Sequence, residues 1–237
     1  MSNNRYLEIS AQSNIINGEP REMVLLRGKP CSYGQCAFCD YHLDNQGFSK
    51  GEIEQFNEKA LENVTGKLGV LEIINSGSIF EIPHESLELI YEICRKKKIK
   101  TLYFEAFLSY APQIASLKAY FMEIGTEVKF RLGVESFNEM FRMETLNKKI
   151  HNSEIEKFAN LYESACLLVG IEGQTDSMIE EDIQRGLELF NKITVNVFVE
   201  NSTEMNEDRN LIEWFKTYHK KYIGDSRVEI FLNNHIF

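Results

Sequence analysis

The sequence is short of positive charge. Its 26 Lys and Arg stand against 36 Asp and Glu, giving a formal net charge of −10 and a pI near 5.1. Such a field repels phosphate backbones, so no direct nucleic-acid partner is expected. Long apolar runs are also missing: no window approaches the eighteen or so uninterrupted apolar residues of a membrane span, and the opening stretch lacks the basic, apolar, small-residue order of a cleaved leader. The expectation is a soluble, cytoplasmic protein with no membrane partner. There is no Pro/Gly/Ser-rich linker, low-complexity block or repeated sequence signature, so the 237 residues are read as one domain, 1–237. That length buries a core without a disulfide framework. The five cysteines are odd in number and three of them fall between positions 31 and 39, a distribution that excludes a secreted disulfide scaffold and favours metal binding.

What is present is an alternation. Short β-rich runs lie at Met23 to Leu26, Val70 to Asn75, Thr101 to Glu105, Val128 to Glu135, Cys166 to Gly170, Ile193 to Val199 and Val228 to Leu232. From the second on they recur at roughly thirty residues, the length of a βαβ unit. Helical patterns fill the gaps: Ser49 with Glu52 forms a capping box, Pro83 opens a helix to Lys98, and Asp176 opens one towards Phe190. The basic run Arg95, Lys96, Lys97, Lys98 and Lys100 sits where the second of these should end, and interaction with the helix dipole accounts for it. The chain is shorter than the roughly 250 residues of eight complete units, so the expected fold is α/β, an open, partial (β/α)6-type TIM barrel with an extra C-terminal strand.

Polar residues gather at the expected strand ends: Asn75, Glu105, Glu135, Glu172, Glu200 and Asn233. Single polar residues cap strands in any protein; together, on the end that carries the active site in β/α barrels, they predict a polar bowl. Within Lys129 to Glu135, alternation puts Arg131, Gly133 and Glu135 on one face and predicts an inward-facing ion pair between Arg131 and Glu135.

The motif Cys31-Ser-Tyr-Gly-Gln-Cys36-Ala-Phe-Cys39 follows the first expected strand directly. A structural zinc site takes four protein donors, and His42 is available as the fourth, so spacing alone does not separate zinc from a cluster. A four-iron cluster held by three cysteines instead leaves one iron with a vacant position, which a chelating amine and carboxylate can fill. Cys94, on an amphipathic helix, and Cys166, at the start of an apolar strand, read as core thiols. His84, His151, His219 and Trp214 read as surface or packing residues.

At this point the chain resembles the radical S-adenosylmethionine (SAM) superfamily, whose usual signature is C-x3-C-x-aromatic-C. Cys36-Ala-Phe38-Cys39 matches it, while the first gap holds four residues in place of three. Asn75-Ser-Gly-Ser78 is similar to the glycine-rich segment that receives the SAM amine, Gly133-Val-Glu135-Ser to the fourth-strand polar motif, and Gly170-Ile-Glu-Gly-Gln-Thr175 to the segment near adenine. The resemblance implies a 4Fe-4S cluster on Cys31, Cys36 and Cys39. It implies SAM bound by Phe38, Ser76, Gly77, Ser78, Glu105, Arg131, Glu135 and Gly170, and a flavodoxin- or ferredoxin-type electron donor. The protein portion would bind and orient while the cofactors carry the hard chemistry.

Arg27-Gly-Lys-Pro-Cys31, Cys39-Asp-Tyr-His-Leu-Asp44, Asn75-Ser-Gly-Ser78 and Asn196-Val-Phe-Val-Glu200-Asn201 together look like compact members of deazapurine metabolism, the queuine lyases in particular. That implies release of the cyclopentenediol of queuine as a fragment, leaving 7-aminomethyl-7-deazaguanine. Tyr41 and His42 are then the candidate proton-handling residues, with shielding of the cluster from water as their simpler role. Asp44, Asn196, Glu200, Asn201 and Asn233 are the candidate substrate contacts, with Glu200 placed to read the N–H donors of a deazaguanine. Two alternatives stand beside it: a radical SAM enzyme acting on a deazaguanine in tRNA through a basic partner subunit, and a non-catalytic, zinc-stabilised binding domain.

Overall fold

The computed structural model describes residues 6–9 and 15–233, and one sheet runs through them. Its strands are β1 (Tyr6–Ile9), β2 (Ile15–Ile16), β3 (Arg21–Leu26), β4 (Val70–Asn75), β5 (Thr101–Glu105), β6 (Glu127–Glu135), β7 (Ser164–Val169), β8 (Lys192–Val197) and β9 (Val228–Phe231). Strands β3 to β9 are parallel and adjacent in chain order, so six β/α units and a further C-terminal strand form the expected partial barrel. The helices between them are α1 (Lys50–Leu61), α2 (His84–Lys97), α3 (Ala111–Met122), α4 (Asn152–Phe158), α5 (Asp176–Leu189) and α6 (Arg209–Tyr218). Ser49 and Glu52 close their capping box on α1. The basic run ends α2 as its dipole favours, with Lys98 in the left-handed conformation at the C-cap. No helix among the described residues is long and apolar enough to cross a membrane.

Strand alternation sorts the side chains cleanly. Val24, Ile73, Phe104, Phe130, Leu167, Val195 and Ile230 point outward and share one apolar core with Ile90 of α2, Phe121 of α3, Ile183 of α5 and Phe215 of α6. The opposite face carries Arg21, Glu72, Tyr103, Arg131, Ser164, Thr194 and Glu229, all buried. A sheet laid flat would separate β3 from β9 by six strand spacings of about 4.8 Å each. Yet Arg21 on β3 donates to both oxygens of Glu229 on β9, at 2.6 and 3.0 Å. The sheet therefore curls until its polar face closes on itself.

Arg21 also donates to Glu72, and Arg131 Nε stands 2.7 Å from the other oxygen of Glu72. Arg131 further donates to Thr194 and Ser164 and lies over the Tyr103 ring. Burial alone would push the Glu72 carboxyl up, but Arg131 and Arg21 beside it outweigh that and hold it below its ordinary range. The quartet forms a floor across the half-barrel. Beneath it, on the N-terminal ends of the strands, a cavity of about 350 Å³ is lined by Glu19, Tyr103, Lys192 and Ser226 among others.

Two short antiparallel strands were not anticipated. Strand β1 pairs with β3 at one edge and β2 with β9 at the other, so the N-terminal segment covers both open edges. Asn17 secures the second edge: its amide donates to Tyr222 O and Val228 O and accepts from Gly224 N, each at 2.8 Å. At four and two residues these strands are too short to show alternation in sequence.

Because two buried guanidiniums share Glu72, Glu72→Ala leaves both to the one remaining carboxylate, Glu229, and the buried charge is no longer balanced. The expected loss is about 3–5 kcal/mol of unfolding free energy, read from urea denaturation of the wild type and variant at neutral pH.

Candidate active site

The cysteine loop leaves β3 at the C-terminal end of the sheet and is fastened from below by one buried carboxylate. Glu81 accepts from Ser32 N at 2.8 Å and from the Tyr110 hydroxyl at 3.2 Å, while its second oxygen accepts from Ser78 N at 2.7 Å. It ties the residue after Cys31 to the loop Ser76–Ser78 that follows β4. Glycine at position 77 leaves room for this fastening, since a Cβ there would run into the Glu81 carboxylate. Sequence reading missed Glu81, although the Ser78-x-x-Glu81 capping box was a visible signal.

A second fastening comes from the strap Leu146–Lys149, which follows a π-helical turn at Phe141–Thr145. Ala37 N donates to Leu146 O at 2.9 Å, Tyr33 Oη to Asn147 O at 2.5 Å, and Asn147 Nδ2 to Gln35 O at 2.7 Å. From the other side, Asn201 Nδ2 donates to Phe38 O at 2.8 Å, and Ser202 donates twice to Asp40. The Phe38 ring packs against a small apolar cluster of Phe141, Leu146, Leu168, Ile171 and Phe198. Within the loop, the four-residue gap closes through a left-handed turn at Gly34, whose N–H points to Cys31 Sγ at 3.4 Å.

The expected pairing of Arg131 with Glu135 is not what forms. Arg131 belongs to the floor, and Glu135 instead pairs with Lys148 of the strap at 2.7 Å. The physical reason is local: β6 shifts register between Gly133 and Glu135, and Glu135 adopts φ +66°, which breaks the alternation on which the expectation rested. Lys148 itself was missed, and nothing in its sequence context marks it.

All three loop cysteines are free and half-buried. Burial pushes the Cys36 thiol up to about 11, Lys148 opposing and Glu135 and Cys31 adding to it, and pushes Cys39 up to about 12. A metal that takes these sulfurs as thiolates displaces their protons. Among the described residues no three His, Cys, Asp or Glu side chains converge closely enough to hold one metal ion. Around a single zinc, with Zn–S near 2.3 Å, four donors must nearly touch; Cys31, Cys36, Cys39 and His42 are not so arranged. In a cubane each thiolate binds a different iron, so three thiols on one short loop can serve it without meeting at a single point.

SAM offers an ammonium, a carboxylate and a sulfonium. At the end of β4 the buried Asn75 donates through Nδ2 to Ser78 O at 3.0 Å, while its Oδ1 has no hydrogen-bond partner among the described residues. Ser76 and Ser78 are buried beside it. Glu105, half-buried at the end of β5, is pushed up to about 7, first by burial and then by Glu72 and Glu135, against the pull of Arg131 and Lys148. An unpartnered acceptor and a carboxyl held back from ionising are what a cationic ligand would satisfy.

The remaining candidates are dispersed. Tyr41 and His42 form a short helical turn, exposed and half-buried respectively, with the half-buried Asp44 at its end. Asn45, one residue on, is buried with neither amide atom bonded among the described residues, and sequence gave no sign of it. Asn196 is half-buried on the same face of β8 as Thr194. The case for an inward Glu200 does not carry, because β8 ends at Val197; Glu200 is exposed and accepts from Glu207 N at 3.3 Å. Asn201 is committed to Phe38, and Asn233 is exposed beyond β9. Gly170 has a packing reason: at φ +86° its Cβ would lie 2.3 Å from Ile212 of α6.

Glu105 sets a pH dependence of the protein without cofactors. Its folded value lies above the ordinary 4.5, so the stability held by the neutral carboxyl is complete below about 4.5 and is lost as pH rises through about 7. Glu105→Gln removes that loss: the variant's unfolding free energy, and with it its melting temperature, should match wild type near pH 4.5 and exceed it increasingly up to about pH 7, by on the order of 1–3 kcal/mol, and by a constant amount above that. Parallel melting curves across that range would refute the assignment.

Comparison with known proteins places this geometry. No protein-family model matches the chain. An uncharacterised protein of Methanocaldococcus jannaschii is 28% identical over 149 residues, covering 56% of this chain. The match spans 40% of that curated relative's length. A queuine lyase from Clostridium spiroforme, solved bound to SAM and queuine, is 39% identical, with a TM-score of 0.88 over 97% of this chain and 96% of that one. A likeness of that strength over nearly the whole of both chains makes this chain a member of the queuine lyase family of the radical SAM superfamily.

Proposed function

We propose that the chain is a single-domain radical SAM lyase that fragments queuine to 7-aminomethyl-7-deazaguanine with loss of its cyclopentenediol group. One observation carries the reading: a relative that shares the fold over almost its full length holds SAM and queuine together, and this chain offers three free thiols on the face where β/α barrels do chemistry. Cys31, Cys36 and Cys39 would hold a 4Fe-4S cluster. With that cluster reduced, cleavage of SAM supplies a 5'-deoxyadenosyl radical able to take a hydrogen atom from the substrate.

The chain's own residues then bind and orient. Asn75 Oδ1 and the Ser76-Gly77-Ser78 loop receive the SAM ammonium, and Glu105 and Glu135 balance positive charge in the bowl. Gly77 admits the cysteine loop and Phe38 anchors it. Arg131 acts from beneath, holding the floor, and Gly170 lets α6 close against β7. The turn bearing Tyr41, His42 and Asp44, with the unbonded Asn45 amide, screens the loop from water and supplies polar groups to the diol. Asn196, facing into the barrel, contacts the deazaguanine base, with Glu200, Asn201 and Asn233 at the rim.

A flavodoxin- or ferredoxin-type protein would deliver the electron. The net charge of −10 favours the free base over a nucleic acid, and free thiols suit a reducing, cytoplasmic setting.

The test is anaerobic reconstitution with iron and sulfide, reduction, and incubation with SAM and either queuine, its nucleoside, or tRNA carrying it. Equivalent amounts of 5'-deoxyadenosine and 7-aminomethyl-7-deazaguanine are expected from queuine alone. SAM cleavage without release of the base would overturn the substrate assignment, and zinc without iron or sulfide would overturn the cluster. Cys36→Ala should reduce turnover to background. Asn75→Leu, measured by calorimetry on cluster-loaded protein, should weaken SAM binding by about 10–100-fold, the worth of a hydrogen bond to a charged group; unchanged affinity would remove Asn75 from the site.

A further inference from the structure

Several unfavourable local arrangements converge on one ion pair. Lys148 is a buried ammonium, only 7% exposed, with Glu135 Oε1 at 2.7 Å as its hydrogen-bonded partner. Glu135 and Asn147 both hold positive φ, at +66° and +49°, which non-glycine residues rarely adopt. Gly133 leaves the space the pair occupies: a Cβ there would stand 2.7 Å from both Glu135 Oε1 and Lys148 Nζ. A buried ion pair is weak in stabilising a fold compared with apolar residues of the same volume. Backbone strain gathered around one pair points to use.

The pair's position gives that use. The strap bearing Lys148 is bound to the cysteine loop on both sides of Cys36, through Gln35 O and Ala37 N, and again at Tyr33. These hydrogen bonds fix the strap against the cysteine loop and Glu135 fixes the ammonium on the strap, so its field on anything the sulfurs hold is built into the fold.

We propose that Lys148 and Glu135 form a paired electrostatic control on the reduction potential of the cluster bound by Cys31, Cys36 and Cys39, Lys148 raising it and Glu135 lowering it. The inference rests on the radical SAM reading above. Reduction adds one electron and no proton to a partly desolvated group. A fixed positive charge in that low-dielectric surrounding favours the more negative, reduced state, and a fixed negative charge disfavours it. Lys148 is a positioning residue in this scheme: it touches no reacting atom and acts through the cluster.

The experiment is a redox titration, followed by electron paramagnetic resonance without SAM, of reconstituted wild type, Lys148→Met, Lys148→Arg and Glu135→Gln. Iron and sulfide content and visible absorption verify loading. Lys148→Met should shift the reduction equilibrium about tenfold against the reduced form, which for one electron is about 59 mV more negative. Lys148→Arg should keep the wild-type midpoint, and Glu135→Gln should move it the opposite way. A fully loaded Lys148→Met with the wild-type midpoint overturns the proposal. Should Lys148→Met fail to load, Glu135→Gln decides alone: a more positive midpoint supports the control and an unchanged or more negative one ends it. Wild type that binds no four-iron cluster would bring down the underlying reading, a result distinct from equal midpoints.

Discussion

Two arginines and two glutamates are buried and neutralised against one another on the inner face of the sheet, and the shape of the molecule follows from that. Arg21, Glu72, Arg131 and Glu229 come from strands spread across the sheet, and their charges are satisfied only if the sheet curls far enough to bring the first parallel strand to the last. Breaking such a network leaves an uncompensated buried charge, so partially closed forms are penalised heavily. The apolar outward face is a conventional core against helices. It is the ionic inner face that selects a closed half-barrel over an open sheet.

Closure in turn raises the C-terminal rim into a bowl and sets what stands there. The cysteine loop has no regular structure of its own and is held by groups from three other loops: Glu81 after β4, the strap after β6 and Asn201 with Ser202 after β8. The Glu81 fastening is buried, and the Asn201 and Ser202 contacts close the loop from the exposed rim. A loop fixed in this way is organised before any metal arrives, which lowers the ordering cost of binding.

The bowl also carries an unbalanced electrostatic load. Glu105 is held back from ionising, Asn75 has an unbonded acceptor, and Lys148 and Glu135 keep a charged pair beside thiols that burial leaves protonated. These are tensions that a cationic cofactor and a thiolate-bound cluster would relieve together.

Much of this was legible in the residues, because the signals concerned are local. Val70–Asn75 and Thr101–Glu105 announced themselves by β-branched and aromatic runs, α1 by its capping box, and the thiols by their crowding, so the barrel and its cysteines could be read from spacing. What sequence could not supply was which charges meet. Arg131 and Glu135 lie on one strand in suggestive alternation, yet a register shift turned Glu135 to Lys148, and closure gave Arg131 to Glu72 and Glu229. Asn45 and Lys148 were hidden for the same reason. Periodicity along one segment follows from backbone geometry, whereas the partner of a buried polar group is fixed only when distant segments close around it.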